Sequence, residues 1–129
     1  MTPFVYKASL IRVVDGDTID LKLDLGFCIS VDKRFRIYGI NAPEIYGVKK
    51  DSAEHQAGLV AKRLAEEWFQ LNSNECYIKS IDGKAISTGK YGRWIARIYP
   101  TNGTETLSTY LISRGAAVIY GSPAIWQTS

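Results

Sequence analysis

Three short segments carry residue types that suit chemistry on a phosphodiester. The first is Val14-Asp15-Gly16-Asp17-Thr18, the second runs from Phe35-Arg36 to Asn41-Ala42-Pro43-Glu44, and the third is Lys90-Tyr91-Gly92-Arg93. Each alone has an ordinary explanation. Asp-Gly-Asp is common in tight turns, a lone Arg on a strand lays its stem along the surface, and Tyr-Gly-Arg often just opens a strand. Together they form a chemical set. Asp17 offers a hard oxygen ligand for a cation such as Ca²⁺, Asn41 an amide oxygen and Ala42 a backbone carbonyl. Glu44, three residues beyond Asn41, is close enough to hold or deprotonate a water near that cation. Arg36 and Arg93 can clamp phosphate oxygens with paired N–H donors, which Lys cannot match. Phosphodiester hydrolysis calls for an activated water and for neutralised charge on the phosphate, and this set supplies both.

The elements that must position these residues follow from periodicity. Thr18 to Leu25 alternates, with Ile19, Leu21, Leu23 and Leu25 on one face, as in a half-buried strand. Phe4 to Val14 reads as the strand before it, and Asp15-Gly16 between them is a hairpin signal. Phe27 to Tyr38 reads as a third strand, with Phe27, Ile29, Val31, Phe35 and Ile37 in one register and Arg36 on the opposite face. The period then lengthens. Ala57, Val60, Ala61, Leu64, Trp68 and Leu71 make one helical stripe, with Asp51 and Glu54 resembling a capping box at its start and Asn72 or Asn74 at its end. Glu75 to Ile81 and Arg93 to Tyr99 read as strands, followed by a turn at Pro100 to Gly103. A short helix carries Leu107, Tyr110 and Leu111 inward and stops at Gly115. Ala116 to Tyr120 reads as a short strand or an extended arm.

Five strands with a long helix after the third, and a short second helix, predict a mainly β (α+β) domain. The expected architecture is a five-stranded Greek-key barrel of the oligonucleotide-binding (OB) type. The chain has 129 residues, which fits one domain over 1–129, and no repeat, linker or low-complexity segment divides it. Its net charge of +3 is too small to prove a polyanionic partner. No run approaches the ~18 apolar residues of a membrane helix, so no membrane partner is expected. The N-terminus shows no basic and apolar leader, which leans to a cytoplasmic location, with secretion the reading if a leader has been removed. Cys28 and Cys76 have neither metal-ligand spacing nor disulfide density and read as reduced core thiols. His55 is expected in a surface or capping role, Trp68 in the core, and Trp94 and Tyr99 in packing.

The DGDT turn, the FR…PE segment after the third strand, the long helix and KYGR at a strand start resemble the staphylococcal nuclease (thermonuclease) family. The likeness runs in order over roughly residues 5 to 120. It implies a five-stranded OB-type barrel and a Ca²⁺-dependent nuclease acting on DNA and RNA. Carried over by position, Asp17, Asn41 and Ala42 match the metal ligands, Glu44 the general base, and Arg36 and Arg93 the two catalytic arginines. Lys90 and Tyr91 match substrate-binding positions, and Tyr120 is the nearest candidate for a tyrosine beside the base. Lys49, Lys50 and Lys84 are candidates for backbone contacts. One departure matters most: the second ligand position is usually Asp in the family and is Asn41 here. That removes a negative charge and predicts weaker metal binding or use of Mg²⁺ or Mn²⁺. The expected activity is metal-dependent cleavage of DNA or RNA, single strands favoured, by a monomer. The alternative is a weakened barrel that binds nucleic acid or protein without cutting.

Overall fold

A computed structural model describes residues 5–46, 48–80, 94–103 and 105–119 of the chain. The element order is β1 (Val5–Asp15), β2 (Thr18–Asp24), β3 (Ser30–Ile37), β4 (Ile40–Asn41), α1 (Ala53–Leu71), β5 (Glu75–Ser80), β6 (Trp94–Tyr99), α2 (Leu107–Ser113) and β7 (Val118–Ile119). Five strands close a barrel in the order β1-β2-β3-β6-β5, and β4 and β7 form a separate two-stranded sheet. All barrel pairs are antiparallel except β3 with β6. This is the OB-type barrel that the strand count and inserted helix predict.

The long strand β1 pairs with β5 along Val5 to Ser9 and with β2 from Lys7 to Asp15. Its register against β2 shifts between Leu10 and Arg12 and again between Val13 and Asp15, and such bulges sharpen the local twist. Ile19, Leu21, Phe35, Ile37, Ile78, Ala96 and Ile98 fill the interior. The alternating residues point outward, as the two-residue period requires. Helix α1 closes the core with Ala61, Ala65, Trp68 and Phe69.

Several expectations need correction. Phe27 and Ile29 do not belong to β3. Phe27 and Cys28 take positive φ values of 54° and 62° in a turn, and Phe27 is 96% exposed. The positive φ breaks the alternation that a continuous strand would have carried inward. Leu25, just before the turn, is exposed for the same reason. Cys28 is therefore exposed, whereas Cys76 is buried and its thiol is pushed up to about 12, chiefly by burial. Along α1 the buried face runs through Gly58, Ala61, Ala65, Trp68 and Phe69, while Val60 and Leu71 are exposed. The buried face includes a glycine and alanines, which a search for large apolar residues passes over. The helix is capped by Ser52, whose side chain accepts the His55 N–H at 3.1 Å, and not by Asp51.

The far end of α1 is tied down by Asn72, the helix C-cap and one of the two stop residues expected. Its buried amide oxygen accepts N–H bonds from Thr101 (3.0 Å) and Asn102 (2.9 Å), and its amide nitrogen donates to the Trp68 carbonyl (2.9 Å). The turn after β6 is thereby fixed on the helix. Among the described residues, no helix is long and apolar enough to cross a membrane.

Candidate active site

The turn between β1 and β2 presents Asp15, Gly16 and Asp17. Asp17 is 6% exposed, so its carboxylate must find partners within the protein. Thr18 Oγ1 donates to Oδ1 at 3.1 Å, and the Ala42 N–H donates to Oδ2 at 3.0 Å. The second bond joins two of the three sequence segments. It brings the Asn41–Ala42 stretch to the aspartate across 25 residues of chain. The Asp17 carbonyl in turn accepts the Ile37 N–H at 2.9 Å, which locks the turn to the end of β3.

Arg36 sits opposite Thr18 in the β2–β3 register. Its neighbours Phe35 and Ile37 are buried, so the guanidinium lies on the other face. Nη2 donates to the Ile40 carbonyl at 3.1 Å and lies 3.7 Å from Asp17 Oδ2. A cation therefore stands beside the aspartate, its position set by backbone on one side and carboxylate on the other.

Glu44 follows directly and is exposed. Its backbone is held from behind by α1. The Glu44 N–H donates to Glu54 Oε2 at 3.2 Å. A Cβ added at Gly58 would lie 2.8 Å from the Glu44 carbonyl oxygen, so only glycine lets the helix come this close. Gly16 has a similar role: a Cβ there would meet the Cβ atoms of Ala42 and Ala61 at 2.8 Å. The glycine of the Asp-Gly-Asp turn thus admits both the helix and the Asn41–Ala42 segment, beyond forming a hairpin. The sequence marked Gly16 as a turn residue only, and it signalled neither the close approach at either glycine nor the Glu54 bond. A glycine on the inward face of a helical stripe was the signal available for Gly58. His55, expected in a surface or capping role, is half-buried with Nδ1 3.1 Å from the Ile45 carbonyl, while Ser52 caps the helix.

A hydrogen bond and an ion pair thus join Asp17 to Ala42 and Arg36, with Asn41 and the exposed Glu44 in the same short segment as Ala42. Lys90, Tyr91, Arg93 and Tyr120 lie outside the described residues, as does Lys84. Lys49 and Lys50 are described and exposed. Among the described residues no group of three or more Asp, Glu, His or Cys side chains gathers to hold a metal. A cation here would draw instead on mixed oxygen donors, Asp17 with the Asn41 amide and the Ala42 carbonyl. The chemistry fits a hard divalent ion. A carboxylate oxygen has lone pairs for more than one partner, so the bonds from Thr18 and Ala42 do not by themselves bar Asp17 from a cation.

Asp15 supports the turn, its Oδ1 accepting the Asp17 N–H at 3.3 Å. Burial, and then the adjoining Asp17 carboxylate, push its pKa from 3.8 up to about 7. This gives a prediction for the metal-free protein. Below 3.8 the carboxyl is protonated in both folded and unfolded chains. Between 3.8 and about 7 the folded chain keeps a proton that the unfolded one has lost, so this contribution to stability falls as pH rises, by up to about 1.4 kcal/mol per pH unit. In EDTA, Asp15→Asn is expected to gain stability relative to the native chain between pH 5 and pH 8 in urea titrations. Parallel pH profiles for the two proteins would refute it.

Comparison with known proteins agrees with the geometry. A family model described as staphylococcal nuclease homologue matches residues 34–127. The Asp15–Asp17 turn precedes the matched stretch, which contains Arg36, Asn41, Ala42, Glu44 and Arg93. A search of curated proteins returns no match. The match spans well over half of the sequence, and with a closed five-stranded barrel around it, the chain belongs to the staphylococcal nuclease homologue family.

Proposed function

We propose that the chain is a metal-dependent nuclease that hydrolyses phosphodiester bonds of DNA or RNA. The observation that carries this reading is the bond from the Ala42 N–H to Asp17 Oδ2, with Arg36 3.7 Å from the same oxygen. It ties the Asn41–Ala42 backbone and the Arg36 guanidinium to one oxygen of Asp17, which supports a site where metal and phosphate meet. Asp17, Asn41 and Ala42 would hold the metal, Ca²⁺ first and Mg²⁺ or Mn²⁺ as alternatives. When bound, such an ion supplies positive charge to a phosphate oxygen.

The remaining roles fall to the side chains. Arg36 donates N–H bonds to the phosphate as negative charge grows on it, and its contact with the Ile40 carbonyl keeps it pre-oriented for that task. Arg93 is assigned the second clamp through its KYGR motif. Glu44, exposed to solvent, accepts a proton from the attacking water. Its backbone, braced by Glu54 and Gly58, sets where that carboxylate can reach. Single strands are the favoured substrate, because a barrel surface grips backbone and bases most readily where they are unpaired.

Asn41 favours a second reading, a barrel that binds without cutting, since it offers an oxygen but no charge. One experiment separates the two. Cleavage of single-stranded DNA and of RNA is followed in EDTA and then across Ca²⁺, Mg²⁺ and Mn²⁺ concentrations, for the native chain and Asn41→Asp. Metal-dependent cutting by the native chain is expected, with Asn41→Asp lowering the half-saturating metal concentration by about tenfold, since affinity follows ligand charge. Cutting only by Asn41→Asp would make the native chain a binding barrel. Cutting by neither protein would overturn the nuclease reading.

A further inference from the structure

Beside the candidate site, three charged residues form a row across the outer wall of the barrel. Arg12 on β1 is the register partner of Asp20 on β2, and Asp20 is the partner of Arg34 on β3. The bonds are short. Arg34 Nε donates to Asp20 Oδ1 at 2.8 Å and its Nη2 to Oδ2 at 3.1 Å, while Arg12 Nε donates to Oδ2 at 2.8 Å. With Ile11, Asp32 and Lys33, these residues line an open groove of about 440 Å³.

We propose that this groove holds a second phosphate of a bound nucleic-acid strand, one backbone repeat away from the phosphate that is cut. The inference rests on the nuclease reading for its choice of ligand. Two guanidiniums share one carboxylate, so the row carries a surplus positive charge. Lys33 and Asp32, one cation and one anion, leave that surplus in place. The bonds to Asp20 use fewer than half of the N–H donors that two guanidiniums carry.

Asp20 also fixes the arginines in place. Its carboxyl is held below the usual carboxylate range, first by the Arg34 hydrogen bond, so it stays charged and keeps both side chains oriented. Pre-orientation reduces the ordering cost that long side chains impose on binding. Exposed ion pairs contribute little to stability, so a purely structural role would leave the second arginine without a purpose.

The spacing suits a continuous strand. Arg34 and Arg36 are two residues apart on β3 and share its outward face, because Phe35 between them is buried. That places their backbones about 6.6 Å apart, a span that one sugar–phosphate repeat can bridge. A strand whose reacting phosphate lies at Arg36 can therefore set its neighbour against Arg34 and Arg12.

The test compares the native chain with the double variant Arg12→Ala/Arg34→Ala on two substrates, a dinucleotide and a single-stranded oligonucleotide of about ten nucleotides. Thermal unfolding checks that the variant folds. The expected result is a fall of about tenfold in kcat/KM for the oligonucleotide, with the dinucleotide little changed. Binding of a fluorescent oligonucleotide in EDTA is titrated against salt in parallel. Loss of one phosphate contact should reduce the log–log salt slope by about 0.7. Equal kcat/KM changes on both substrates, or an unchanged slope, would overturn the proposal. If the native chain cuts neither substrate, the nuclease reading fails by itself, and the salt slope still decides whether the groove holds a phosphate. If the native chain does not bind the oligonucleotide either, both readings fall.

Discussion

Glu44→Gln is expected to lower kcat on single-stranded DNA by about 10²–10⁴-fold, the usual contribution of a positioned general base. KM is expected to change little. The substitution preserves size and leaves an amide that can still orient a water but cannot accept its proton. The fold should be unaffected, because the Glu44 side chain is exposed and the contacts that hold the loop are made by its backbone. Phosphate binding is assigned to arginines, so affinity should survive. The measurement is steady-state cleavage at saturating metal, with circular dichroism as the check on folding. A loss of less than about fivefold would remove Glu44 from the role of base. A large rise in KM at constant kcat would instead mark it as a binding residue.

Arg36 shows how much of this site was legible from sequence. Its place between the inward-facing Phe35 and Ile37 was enough to put it on the outer face of a strand, but alternation sets only the face, and its pairing with Thr18 came from the structure. The types and order of Asp17, Asn41, Ala42 and Glu44 were legible too, through their chemistry and the family resemblance. The distances were not. That the Ala42 N–H reaches Asp17 depends on how tightly α1 and the Asn41–Ala42 segment crowd the turn, and Gly16 and Gly58 govern that crowding. A missing side chain leaves no periodic signal, so close-approach glycines are poorly visible in a hydrophobic pattern. The strand order was also hidden. The parallel pairing of β3 with β6 joins elements far apart in sequence and leaves no local mark. The turn at Phe27 escaped notice because alternation continues through it in sequence while the backbone turns away.

The helix α1 links the site to the stability of the whole barrel, and Trp68 is its main anchor. Trp68→Ala is expected to destabilise the protein by about 3–5 kcal/mol. The side chain is 2% exposed and meets Phe69 edge-on, with ring centroids 5.0 Å apart and planes at 87°. Its Nε1 donates to the Glu105 carbonyl at 3.1 Å, which ties the approach to α2 onto α1. Truncation therefore opens a large cavity, breaks an aromatic pair and removes the donor from that carbonyl. Leu71, which the apolar stripe placed on the same face, is 59% exposed. Leu71→Ala is expected to change stability by no more than about 0.5 kcal/mol. Urea unfolding of the two variants tests the pair, and equal losses would mean that the buried face of α1 is misassigned. Since Glu54 and Gly58 on this helix hold the Glu44 backbone, cleavage by Trp68→Ala should also fail at a lower temperature than in the native chain. Activity that outlasted the unfolding of α1 would show that Glu44 keeps its place without the helix behind it.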